Sequence, residues 1–116
     1  MSKRGIIQLS DFDINQKIIE SLSNVCTRSV LFSVKDESKD ATQIANELKI
    51  SLSTVYKTLS TLENLALAEV DKYVISPEGK KIKLYRSRIG KVEIILENME
   101  PTLFLHPNDS NSKISN

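Results

Sequence analysis

A chain of 116 residues, 40% of them hydrophobic and 27% charged, has ordinary globular composition and enough length for one domain with a modest core. No apolar run approaches the ~20 residues that span a bilayer, and the N-terminal MSKRGIIQLSDF lacks the longer apolar stretch of a secretion signal, which points to an intracellular protein with no membrane segment. The single cysteine, Cys26, excludes an internal disulfide, so packing or a partner chain must supply the stability.

The net charge of +1 conceals a division along the chain. Residues 1–68 balance acids against bases, residues 69–91 carry seven Lys or Arg against three acids, and residues 92–116 carry four acids against one Lys. The positive field is therefore local, and phosphate attraction depends on the local field.

Residues 1–10 carry no strong pattern and read as an N-terminal arm, partly ordered or packed on a partner. Asp13 stands three residues before Gln16, a capping-box-like start, and Ile14, Ile18 and Leu22 follow at helical spacing, so a first helix is expected over 11–22. Ile19 widens its apolar stripe, which fits simple core packing first and would also allow contact with a second subunit. Ser23 and Asn24 then recap the chain. A second helix over 24–34 follows, with Val25, Cys26, Val30, Leu31 and Val34 around a polar arc of Thr27, Arg28 and Ser29. Cys26 reads as a small buried hydrophobe.

After the polar loop KDESKD, Asp40 caps a third helix, with Gln43 at its third position and Ala41, Ile44, Ala45 and Leu48 on one face. Only residues 49–51 separate it from a fourth helix, over 52–65, capped by Ser51 and buried through Val55, Leu59 and Leu62. Two helices joined so tightly must cross steeply, which frees the outer face of the second to enter a groove. That face carries Leu52, Ser53, Tyr56, Lys57, Ser60 and Thr61, residues that can approach phosphates and base edges without steric conflict.

After Leu67 the period becomes that of a strand. EVDKYVI, the turn SPEG with Pro second and Gly fourth, and KKIKLYRSR form a hairpin over 68–88. On its returning strand Ile82 and Leu84 alternate with Lys81, Lys83 and Tyr85, so one face covers the helices and the other presents positive charge. Lys80 and Lys81 sit at the tip, suited to lie along a DNA backbone. A second hairpin follows over 91–106, from Val92, Ile94 and Leu96 through ENMEP to Leu103 and Leu105. Its apolar, acidic character fits either a subunit or partner contact or a cover for its own core. The tail over 107–116 is polar and expected to be disordered, and His106 stands alone at its edge.

The order helix, helix, helix-turn-helix, basic hairpin resembles the winged helix-turn-helix transcription regulators, and within them the prokaryotic, especially archaeal-style, arsenic-repressor-like group. The resemblance covers about residues 24–88. It rests on Thr27-Arg28-Ser29-Val30-Leu31, Gln43-Ile44-Ala45-Asn46-Glu47-Leu48, Ile50-Ser51-Leu52-Ser53-Thr54-Val55-Tyr56, Leu59 with Leu62, Gly79-Lys80-Lys81 and Leu84-Tyr85-Arg86. The start S-x-S-T-V-Y is the most specific of these. Two positions depart from the pattern: Lys49 stands where the turn often has Gly, and Ala66 where Gly often precedes the wing.

The resemblance implies a mainly α fold with β-hairpins, a winged helix-turn-helix with an extra C-terminal hairpin. It implies a homodimeric regulator of double-stranded DNA, cytoplasmic and nucleoid-associated, with the helix over 52–65 in the major groove and the wing over 68–88 on phosphates. Ser51, Ser53, Thr54, Tyr56 and Lys57 would then be contacts on the recognition helix and its cap, with Lys80, Lys81 and Lys83 on the wing. The group's metal sensors use ligand clusters, whereas one Cys and one His offer no thiolate site here, and no metal or cofactor is expected. No nucleophile–base pair, phosphate loop or paired acidic motif has useful spacing, so no enzyme is expected. The near-neutral total charge and the mild outer face of the fourth helix also fit a different function, a winged-helix protein-interaction adaptor without significant DNA binding.

Overall fold

The computed structural model describes residues 11–108. Within them, helices α1 (Asp11–Ser23), α2 (Val25–Ser33), α3 (Ala41–Leu48) and α4 (Leu52–Asn64) precede strands β1 (Ala68–Ile75), β2 (Lys81–Ser87), β3 (Ile89–Ile95) and β4 (Thr102–Pro107). Each strand pair forms an antiparallel hairpin, β1 with β2 and β3 with β4. The arm expected over 1–10 and residues 109–116 of the expected tail lie outside the described residues. Pro107 and Asn108, assigned to that tail from sequence, belong to the fold. Pro107 ends β4, and the Asn108 side chain donates to the carbonyls of Lys35 (2.8 Å) and Ser87 (2.9 Å).

The core forms around α2, which packs against α1, α3, α4 and β2. Val30, Leu31 and Val34 are fully buried there, together with Ile18 and Leu22 of α1, Ile44 of α3, and Val55, Leu59 and Leu62 of α4. These are the apolar positions expected at helical spacing, apart from two at the ends of their stripes. Ile14 and Val25 are exposed. Val25 begins α2 at the bend after Ser23, where none of the described residues buries it. Cys26 packs against the core as a partly buried side chain.

Three caps are read correctly from the sequence. The Asn24 carboxamide oxygen accepts from the Thr27 amide at 3.0 Å. Asp40 and Gln43 form a reciprocal capping box, with bonds of 2.8 and 2.9 Å. Ser51 accepts from the Thr54 amide at 3.1 Å. Asp13, expected as the cap of α1, lies inside the helix, which already includes Asp11, and Gln16 donates to Glu20 at 3.2 Å.

The departures at Lys49 and Ala66 both fall in the left-handed region, at φ 58° and 61°. Lys49 ends α3, and the Ile50 amide reaches back to the Ala45 carbonyl at 3.1 Å. Ala66 closes α4, with its amide on Glu63 and that of Leu67 on Leu62, both at 2.9 Å. Such double closure is a Schellman motif, whose pivotal residue is usually glycine because a Cβ there crowds the backbone.

The first hairpin turns through Ser76-Pro77-Glu78-Gly79 as expected, with the Gly79 amide on the Ser76 carbonyl at 2.8 Å and Gly79 at φ 86°. Burial rises along β2, from exposed Lys81 through half-buried Ile82 and Leu84 to buried Tyr85, Arg86 and Ser87. Tyr85, grouped from sequence with the charged face of the wing, is therefore a core residue with 5% exposure. The reason is an added bridge: Lys39 and Tyr85 exchange both backbone hydrogen bonds, at 3.1 and 2.8 Å, and draw the base of the strand against the helices. Burial holds the Tyr85 phenol above its ordinary pKa of 10.0, and the Glu63 carboxylate reinforces the shift.

Arg88 alone joins β2 to β3, its amide on the Leu67 carbonyl and its own carbonyl accepting from Asn108, both at 2.9 Å. Val92 and Leu103 pack the second hairpin onto the core. His106 Nε2 lies 2.7 Å from Glu93 Oε1. That hydrogen bond, helped by Lys91, holds the Glu93 carboxyl below the ordinary carboxylate range.

Two outcomes are expected. Lys49→Gly and Ala66→Gly should each raise stability by about 1 kcal/mol in chemical denaturation, because glycine removes the Cβ conflict at positive φ at the cost of a looser unfolded chain. The buried phenol is protonated in the folded state, so its contribution to stability is complete below pH 10.0 and is lost as pH rises through the raised folded value. Thermal unfolding of Tyr85→Phe should accordingly fall less steeply than wild type at alkaline pH.

Candidate nucleic-acid interface

A cleft of about 520 Å³ separates the helix pair from the wing. One side is the start of α3, Asp40, Ala41 and Thr42, with Tyr56 of α4; the other is Lys80, Lys81, Ile82, Lys83 and Tyr85 of the wing. Three lysines and the exposed Tyr56 phenol thus face a shared space, with the Asp40 carboxylate as the opposing charge. That carboxylate is already engaged by the Gln43 amide at 2.8 Å. The local balance is positive, which suits an anion lying along the cleft.

The residues expected as contacts fall into two groups. Tyr56, Lys80, Lys81 and Lys83 line the cleft together. Ser51, Ser53 and Thr54 cluster at the amino end of α4, and Lys57 is exposed beyond them on the same helix. Within that cluster Ser51 Oγ donates to Thr54 Oγ1 at 2.8 Å, accepts from the Thr54 amide at 3.1 Å, and lies 3.3 Å from Ser53 Oγ. A serine hydroxyl has one hydrogen and two lone pairs, so with Ser53 donating, Ser51 has spent its hydrogen-bonding capacity inside the protein. Thr54 keeps its hydroxyl hydrogen for an outside acceptor, and Ser53 is exposed beside it.

Two further side chains belong to this surface and were not singled out from the sequence. Tyr73 of β1 lies under Lys81, with Nζ 4.4 Å from the ring centroid. Tyr73 pairs with Lys83 and Ile75 with Lys81, so Tyr73 and Lys81 are diagonal neighbours on one face of the ribbon. The contact is a cation–π interaction that fixes where the ammonium sits without neutralising it. The alternation of the hairpin would have located it once the register was known. Thr42, exposed at the second position of α3, is the other. Its only signal in the sequence is its place after the Asp40 cap.

The wing also contains acids, and their placement matters. Asp71 sits at a bulge between the Val70 and Lys72 registers, where it accepts a short hydrogen bond from the Ser38 hydroxyl. Glu69 lies 3.9 Å from Arg88. Both are therefore partnered at the base of the hairpin, whereas the third acid, Glu78, is exposed in the tip turn beside Lys80 and Lys81, where the lysines still outnumber it.

No protein-family model matches the chain, and no curated protein does. Among solved structures, the chain is similar to PerR from Streptococcus pyogenes, a structure described as the basis of peroxide sensing and gene regulation by that protein. The TM-score is 0.51 at 13% identity, over 90% of this chain and 76% of that one. With the element order above, the likeness establishes the fold as a winged helix, mixed helices and antiparallel hairpins, with the second hairpin as an addition to the helix-turn-helix and wing.

Proposed function

We propose that this protein is a DNA-binding transcription regulator, a binding protein and not an enzyme, that acts on double-stranded DNA as a homodimer in the cytoplasm, associated with the nucleoid. The observation that carries this reading is the cleft that sets Tyr56 of α4 opposite Lys80, Lys81 and Lys83 of the wing. Helix α4 would lie in the major groove with Ser53, Thr54, Tyr56 and Lys57 toward the bases and sugars, its amino end held by the Ser51 cap. The wing lysines would then meet the flanking phosphates. The regulatory role of the similar PerR fold supports this reading, and the motif residues from Ile50 to Tyr56 support an arsenic-repressor-like subgroup.

Affinity in such an arrangement is mostly counterion release at phosphates, so it must fall steeply with salt. Lys80→Ala with Lys81→Ala should weaken binding to all sequences alike and reduce the slope of log K against log salt by about 2. Fluorescence anisotropy over a salt series measures both. A double variant that matches wild type in affinity and slope would remove the wing from the interface. The adaptor reading draws on the mild outer face of α4, where Lys57 is the one charged contact, and would be favoured if wild type shifted no DNA at low salt.

A further inference from the structure

The second hairpin carries an apolar face longer than the core it covers. In its register Val92 opposes Leu105 and Ile94 opposes Leu103, so these four share one face, and Leu96 continues it. Leu103 and, on the opposite strand, Val92 pack on the core. Outward along the same strand exposure climbs, to 43% at Ile94 and 73% at Leu96, and Met99 in the loop is 90% exposed. An isolated two-stranded ribbon is marginal in water, and this one holds large apolar side chains away from its own domain.

Beside that face is a cleft of about 300 Å³ between the hairpin and the helices, with Val92 and Ile94 on one wall and Leu22, Ser23, Arg28 and Phe32 on the other. Arg28 Nη1 donates to the carbonyls of Leu22 (2.8 Å) and Ser23 (3.1 Å), which holds the guanidinium on the rim. These bonds use one nitrogen of a group with five N–H donors. Just past Leu96, the hairpin loop carries Glu97 and Glu100, both exposed. One molecule therefore presents an apolar cleft with a cation at its edge and, separately, an apolar projection flanked by carboxylates.

We infer that a second copy of this chain fills the cleft: two hairpins cross about a two-fold axis, Leu96 and Met99 of each enter the Leu22–Phe32 cleft of the other, and Glu97 and Glu100 approach Arg28. The inference rests on the dimer in the proposed function and names its surface. Charge complementarity selects this occupant, since the projection and the cleft carry opposite signs and belong to the same chain. An isologous contact uses each twice and leaves neither open. An acidic hairpin would repel DNA. None of these residues lines the cleft of Tyr56 and Lys80 to Lys83, so pairing leaves that surface accessible.

Sedimentation equilibrium of the full chain tests this, comparing wild type with Leu96→Asp/Met99→Asp, two exposed positions where charge should not disturb folding. Wild type should be a dimer, and the variant should dissociate at least about 100-fold more readily, as expected when apolar anchors are replaced by buried charges, with unchanged circular dichroism. Arg28→Glu should also weaken the dimer, and Glu97→Arg with Glu100→Arg in the same chain should restore it. A variant as dimeric as wild type would overturn this surface while leaving the dimer itself standing. A monomeric wild type would overturn both.

Discussion

The backbone pair between Lys39 and Tyr85 governs the arrangement of the molecule. A two-stranded wing has no orientation of its own relative to the helices, and most of β1 is exposed on both faces. The pair supplies a third strand one residue long. Its neighbours reinforce it: the Ser38 hydroxyl bonds Asp71 at the bulge of β1, the Lys39 ammonium pairs with Glu47 at 2.7 Å, and Asp40 caps α3. Three consecutive residues thus fix the wing, the third helix and the angle between them. The width of the cleft between Tyr56 and the wing lysines follows from that segment.

The second constraint is the pair of left-handed residues that bracket α4. A helix that must start steeply from α3 and end abruptly before β1 needs a reversal at each end, and the chain makes both with side-chain-bearing residues, Lys49 and Ala66. Each reversal is held by amides folded back on the preceding turn, and Leu67 directly after the second is buried. The cost of positive φ is therefore offset by the burial on either side, and α4 keeps its outer face clear of its own chain.

Much of this was legible from the residues. Caps such as Asn24, Asp40 and Ser51 are local chemistry, as is the Pro and Gly pattern of the wing turn, so sequence spacing was enough to find them. The buried stripes of α3 and α4 were legible because a short helix with three or four apolar positions has one way to face a core. What failed depended on distant neighbours. Tyr85 alternates with the wing lysines, and only the Lys39 bridge, 46 residues away in the chain, makes it core. Ile14 and Val25 sit at stripe ends that stay exposed, and Asp13 falls inside α1, not at its cap. Tyr73 and Thr42 joined the candidate site through cross-strand register and helix placement, which composition does not encode.

The distribution of charge separates two tasks that a groove-reading protein must perform. In the first two turns of α4 the exposed polar side chains are uncharged apart from Lys57, with Glu63 in the last turn, and Ser51 is internally satisfied, so the start of this helix offers hydroxyl groups and one phenol in place of ion pairs. On the wing Glu69 and Asp71 are partnered at the base, and the lysines outnumber Glu78 at the tip and continue along β2, one of them set by the Tyr73 ring at 4.4 Å. Under the DNA-binding reading, attraction would come from the wing and be indifferent to sequence, whereas α4 would contribute discrimination of modest strength per site. Weak discrimination by one reading head is multiplied when a second is held at fixed spacing. The acidic, apolar hairpin beyond Arg88 is built from the residues least suited to touch DNA, and it follows that its place in such a scheme is to set that spacing.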